Sequence, residues 1–317
     1  VEDSRLALRA SREAISGVLL IDKPLGLGST AVLARVKYLL GAKKAGHTGT
    51  LDPLATGLLP VCLGEATKFA SDLLFATKRY RATLVLGATT TTGDAEGEVL
   101  ERREVACDAA EIDRVLQTFR GVIDQVPPMF SALKREGKPL YAYARAGVTL
   151  ERMARQVEIE KLERVSYSRP ELVIDVTCSK GTYVRTLGED IGQALSCGAH
   201  LSALRRLAVA GISIEKANTL PELEAMSLLE RRARLLPLDA LIAELPVLEL
   251  DDTLSGRFRA GQRLAGFASM SGRFRVYALK ASPHNLMGIG LIEEGVLRPK
   301  RLLASNVQPG DFSAGRT

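Results

Sequence analysis

Two runs, residues 157–167 and 171–178, alternate apolar and polar side chains with only a few residues between them. Side chains along a strand point to opposite faces in turn, so this period of two reads as a β-hairpin. Residues 80–86 repeat the pattern and place Tyr80, Ala82, Leu84 and Leu86 on one face. Helical spacing is as plain elsewhere. Val32, Leu33, Val36, Leu39 and Leu40 follow Ser29 or Thr30 as N-cap and end at Gly41. Asp108, with Glu111 three residues on, opens a helix over 109–120 that Gly121 stops.

Further helices are expected over residues 65–76, 220–230 and 238–243, and residues 181–185 lead into another that reaches about Leu195. Phe69, Leu73 and Leu74 form the core face of the first. Residues 17–22 and 58–63 are buried strand-like runs, and 204–214 is a strand with Arg205 and Arg206 at its start. The expected fold is α+β: a central mixed, largely antiparallel sheet flanked by helices, with a small C-terminal β-rich domain. Pro246 marks the boundary, because short strand-like runs separated by Gly and Pro follow it. Residues 1–15 read as a flexible basic arm and 16–246 as the main domain. Within it, residues 127–156 read as an inserted segment rich in Lys, Arg, Gly and Tyr, and 247–317 form the last domain.

A chain of 317 residues with a net charge of +6 can bury a sizeable core and favours an acidic partner, nucleic acid first. No run approaches the length needed to span a bilayer, so no membrane is expected. Cys62, Cys107, Cys178 and Cys197 show no CxxC pairing, which argues against a zinc ribbon and suits a reducing cytoplasm. Cys197 and His200 stand three apart but lack two further ligands, so they read as a buried thiol and a loop imidazole.

The stretch Gly46-His47-Thr48-Gly49-Thr50-Leu51-Asp52-Pro53-Leu54-Ala55-Thr56-Gly57 combines three glycines with one carboxylate. Pro53 holds Asp52 out of the α region, so the loop presents that carboxylate beside His47 and three threonines. Such residues also make ordinary turns. A carboxylate acting as nucleophile needs a cation or hydrogen-bond donors if its site is dry, and Arg185 is the candidate. An Arg at a helix start is otherwise a surface ion pair, and Tyr80 on an apolar strand face is otherwise core.

The string GHTGTLDPLATG, preceded by GVLLIDKP at residues 17–24, closely resembles the TruB family of tRNA pseudouridine synthases. Ser179-Lys180-Gly181-Thr182-Tyr183-Val184-Arg185 is similar to a second motif of that family. The resemblance runs from about residue 16 to 214 and implies roles for single residues. Asp52 is the nucleophile, Arg185 its partner, and Tyr183 part of the base pocket. Tyr80, in Lys78-Arg79-Tyr80-Arg81, stacks on the target base and is a candidate for proton transfer. His47, which could otherwise be a general base, lies against the RNA near the flipped nucleotide. Leu204 closes over the base, Lys23 and Pro24 end a structural strand, and the C-terminal domain resembles a PUA-type RNA-binding domain.

The implied activity is conversion of uridine 55 in the T-loop of tRNA to pseudouridine by base flipping, without cofactor or metal. The partner expected is the tRNA T-arm, and the enzyme is expected to be a cytoplasmic monomer. Basic groups at residues 43–44, 78–81, 134–138, 145–155 and 205–206 are expected to converge along the tRNA backbone. Two other classes share parts of the pattern. A non-catalytic RNA-binding or RNA-folding protein would share the charge, and a carboxylate glycosidase would share the aspartate but needs a second acid, for which Asp94 is available.

Overall fold

The structure is a computed structural model that describes residues 13–279 and 285–304. Of the expected basic arm, residues 1–12 lie outside the described residues, as do 280–284 and 305–317 of the expected last domain. In chain order, strand β1 (Gly17–Lys23) and helix α1 (Ser29–Leu39) precede β2 (Ala45–His47) and β3 (Ala55–Leu63). A 3-10 turn (Gly64–Lys68) and α2 (Ala70–Leu74) lead to β4 (Lys78–Leu86). The hairpin of β5 (Ala88–Thr90) and β6 (Val99–Arg102) comes next, then α3 (Ala109–Thr118) and β7 (Gly121–Gln125). The expected insertion holds only β8 (Lys134–Arg135), β9 (Lys138–Pro139) and the single turn α4 (Leu140–Ala144). It is followed by β10 (Arg155–Ser168), β11 (Glu171–Cys178), α5 (Val184–Ala194) and β12 (Ala199–Val209). After β13 (Ile212–Ser213) come α6 (Leu220–Ala225) and α7 (Leu228–Ala233). The last part holds β14 (Val247–Leu250), α8 (Asp252–Arg259), β15 (Leu264–Ala265), β16 (Gly272–Ala278), β17 (Leu286–Glu293) and β18 (Val296–Leu302).

The chain forms two compact units. One takes the residues up to Leu51, then Leu59–Leu74 and those from Glu215 on; the other takes Asp52–Leu58 and Phe75–Ile214. In the second unit the strands run from the start of β3 through β12, β4, β11 and β10 to β7. Only the β3 and β12 pair is parallel, so the sheet is mixed and largely antiparallel, as expected. Its buried face carries Ala82, Leu84, Ile174 and Val176, against which α3 and α5 pack Ile112, Leu116, Leu187 and Ile191. Each such large apolar side chain contributes about 1.5–3 kcal/mol when fully buried. Strand β12 meets β4 with irregular register between Leu201 and Ala203 and again between Arg206 and Ala208.

In the first unit the later residues of β3 lie between β1 and β2, with α1 and Leu220 and Leu223 of α6 completing the core. Its C-terminal part is a five-stranded sheet, ordered β14, β16, β17, β18, β15, around Phe258 of α8.

Several boundaries differ from expectation for physical reasons. Ser29 does not cap α1; Gly28 is the N-cap, and the Ser29 hydroxyl donates to the Leu51 carbonyl and accepts the Leu51 N–H. The helix expected over residues 65–76 is the 3-10 turn plus α2, and Leu74 at its end is exposed. Residues 220–230 break into α6 and α7, because Ser227 and Glu230 form a second capping box after that of Thr219 and Glu222. Strand β12 starts at Ala199, which puts His200 on a strand with Nδ1 2.9 Å from the Ala88 carbonyl. It also moves Arg205 and Arg206 to mid-strand.

Candidate active site

Asp52 stands three residues before β3, where Ala55 N–H donates to its carbonyl at 3.0 Å. The turn leaves 55% of the Asp52 side chain exposed. Arg185, in the first turn of α5, is buried, and its Nη2 meets Asp52 Oδ2 at 3.0 Å. The same guanidinium places Nη1 3.3 Å from Asp94 Oδ2 and donates to the carbonyls of Thr92 at 3.2 Å and Phe130 at 2.6 Å. A buried charge is tolerable only when paired and hydrogen-bonded, and Arg185 is both. Asp94 is buried too, and its Oδ1 accepts from the Thr92 hydroxyl and the Glu96 N–H. Formally, the two carboxylates and one guanidinium carry one net negative charge, and Asp52 is the exposed end of the trio.

Tyr80 and Leu204 lie on the helix-covered side of the sheet, where both pack at the margin of the core. The register explains why: Leu204 pairs with Ala82 and Arg206 with Tyr80 across β12 and β4. Burial pushes the Tyr80 phenol above its ordinary value and the nearby Asp52 charge adds to this, while a hydrogen bond from Arg206 opposes it. Tyr80 is therefore a neutral phenol near neutrality. Arg206 is only 1% exposed and donates from Nε to the Leu58 carbonyl at 2.7 Å. The pairing of the β3 and β12 backbones there needs Gly57, whose φ is +101° and where a Cβ would fall 2.3 Å from the Arg206 carbonyl oxygen.

Tyr183 is the N-cap of α5 and makes no side-chain cap bond of its own. Burial raises its phenol, with Asp52 acting in the same direction. The second unit thus brings together Asp52 and Arg185, with Tyr80 and Tyr183 close enough to feel the Asp52 charge. His47 belongs to the first unit, on β2 opposite Val61, with its Nδ1 accepting the Gly49 N–H at 3.4 Å.

Among the expected RNA-facing cations, Lys78 and Arg206 are withdrawn into the second unit, at 8% and 1% exposure. The period of two explains this, since both share the buried face with Tyr80. Burial, with the Arg206 charge acting in the same direction, lowers Lys78 to about 8. Arg79 and Arg81 point the other way, are exposed, and both face Asp175.

Sequence reasoning missed Gln125 and the Phe130 carbonyl and took the buried Arg206 for an RNA-facing cation. Period two could have flagged Arg206 as inward-facing. A backbone acceptor leaves no trace in residue types. No group of three or more metal-ligating side chains gathers among the described residues, and among them no helix is long and apolar enough to cross a membrane.

The N-terminal domain of TruB family pseudouridylate synthases matches residues 37–184. The tRNA pseudouridylate synthase B C-terminal domain matches 185–243, and the pseudouridine synthase II TruB C-terminal domain matches 246–303. The tRNA pseudouridine synthase B of Burkholderia mallei is 55% identical over 304 residues, covering 94% of this chain and 97% of that protein. That of Chromobacterium violaceum is 53% identical over 303 residues, covering 95% and 98%. The crystal structure of a Cbf5-Nop10-Gar1 complex contains a chain of similar fold, with a TM-score of 0.67 and 26% identity, covering 93% of this chain and 86% of that one. With that identity sustained over nearly its whole length, the chain belongs to the TruB family of tRNA pseudouridine synthases, and it is an isomerase.

Proposed function

We propose that this chain converts uridine 55 in the T-loop of tRNA to pseudouridine, with Asp52 as nucleophile. The observation that carries the reading is the exposed Asp52 carboxylate held at 3.0 Å by a buried guanidinium that Asp94 fixes from the other side. A nucleophile must be reachable and oriented before it can act, and this arrangement supplies both. The target base leaves the folded loop and stacks on Tyr80. Tyr183 borders the pocket, Leu204 closes over the base, and His47 contacts the RNA. Asp52 assists cleavage of the C1′–N1 bond, the uracil turns, and C5 joins C1′. The proton lost from C5 is balanced by the one gained at N1, so the reaction consumes no co-reactant.

Residues 16–246 act as the catalytic domain with an RNA-gripping insertion at 127–156, and those from 247 on act as a PUA-like RNA-binding domain. The protein works as a cytoplasmic monomer on the tRNA T-arm. A glycosidase mechanism is disfavoured, because Asp94 is buried and both its oxygens are engaged. Incubation with unmodified tRNA followed by mapping of pseudouridine tests the reading. Product at the T-loop uridine is expected. Free uracil would indicate a glycosidase, and binding without product an RNA-folding protein.

A further inference from the structure

Gln125 ends β7 and is 2% exposed. Its amide oxygen accepts the Tyr183 N–H at 2.8 Å, and its Nε2 donates to the Tyr183 carbonyl at 3.1 Å. One side chain thus takes both main-chain groups of a residue in the candidate site. Tyr183 has no cap bond from its own side chain, and its carbonyl also accepts the Leu187 N–H in the first turn of α5. Two residues further on, Arg185 reaches Asp52, and its Nη2 is also held by the Phe130 carbonyl five residues after Gln125. The short stretch from Gln125 to Phe130 therefore grips Tyr183 by its backbone and Arg185 by its head group.

We propose that Gln125 is a positioning residue for pseudouridine formation, setting the backbone at Tyr183 and through it the aim of Arg185 at Asp52. This rests on the synthase reading above. A two-point amide clamp ties together the two peptide groups that flank the Tyr183 Cα and so restrains its φ and ψ, which a single hydrogen bond does not. Small errors of aim at a reacting centre are costly in rate while leaving distributed substrate contacts intact. Loss of the clamp therefore lowers the chemical step and spares tRNA affinity.

The test compares Gln125→Met, which keeps the length and removes both bonds, with Gln125→Glu, which keeps the acceptor and loses the donor. Single-turnover pseudouridine formation should fall about tenfold or more in the Met variant, and also in the Glu variant, whose buried carboxylate turns a second oxygen on the Tyr183 carbonyl. The dissociation constant for tRNA should stay within about twofold. Amide exchange at Tyr183 should quicken in the Met variant, a readout independent of activity. Val157→Ala, a buried truncation on β10, serves as a control for lost stability. The proposal is overturned if Gln125→Met reacts at the wild-type rate, or if Val157→Ala with an equal drop in Tm loses as much rate. If Gln125→Met does not fold, Gln125→Glu carries the same comparison. If the wild type makes no pseudouridine, the synthase reading fails, and unchanged exchange at Tyr183 then sinks the positioning role separately.

Discussion

Asp94 and Arg185 are both buried, and their side chains meet at 3.3 Å on the side of the guanidinium away from Asp52. Removing Asp94 leaves a buried cation with one exposed carboxylate and two backbone carbonyls. Asp94→Ala should therefore lower stability by about 3–5 kcal/mol, the size seen when one member of a buried pair is deleted. Activity should fall with it, because Arg185 is no longer held from behind. Denaturant unfolding beside single-turnover rates checks both, and a stability change below about 1 kcal/mol would contradict the pairing.

Asp52→Asn keeps the shape of the side chain and removes its charge. Recognition is spread over many contacts, so tRNA affinity should change by about 1 kcal/mol or less. Pseudouridine formation should drop below detection, since no neighbouring group can replace the nucleophile. Substantial product from the folded variant would show that Asp52 is not the nucleophile.

Tyr80→Phe keeps the ring and deletes the hydroxyl that Arg206 contacts. If the phenol moves a proton, the rate falls while tRNA affinity holds. Turnover at the wild-type rate would leave Tyr80 as a stacking surface only. Steady-state kinetics with binding measurements separate the two.

Lys78 gives a pH signature. Its folded value of about 8 lies below the ordinary 10.5. Between those values the unfolded chain holds more protons, so this lysine makes stability rise with pH and contributes a penalty below pH 8. The penalty is about 3 kcal/mol from the size of the shift. Burial raises Cys62 to about 12 and Cys178 to about 11, which acts in the opposite sense as pH climbs past the ordinary thiol value. The Lys78→Met variant isolates the lysine. It should be more stable than wild type at pH 7, with the gap closing between about pH 8 and 10.5. A constant gap across that range would refute the assignment.

The hairpin of β10 and β11, the face of β4 and the start of α3 were all legible in the residue pattern, because period and capping are local signals. Asp52 and Arg185 were legible as chemistry, and the family motifs paired them. Their separation in sequence, 133 residues, left no local sign of contact. The burial of Arg206 and Lys78 was misread for a related reason. A cation in a basic string looks solvent-facing until strand register decides which side of the sheet it occupies. Gln125 was invisible because its partners are main-chain atoms, which every residue carries.

The paired irregularities of β12 imply a rule about insertions and deletions. Ala203, Leu204, Arg205 and Arg206 lie between the break at Leu201 and Ala203 and the one at Arg206 and Ala208. A single-residue length change between the two breaks would exchange inner for outer side chains, turning Leu204 out and bringing Arg205 in. The same change outside them can be absorbed where the ladder is already interrupted. Variation in chain length should therefore be tolerated at either break and excluded from the four residues they frame.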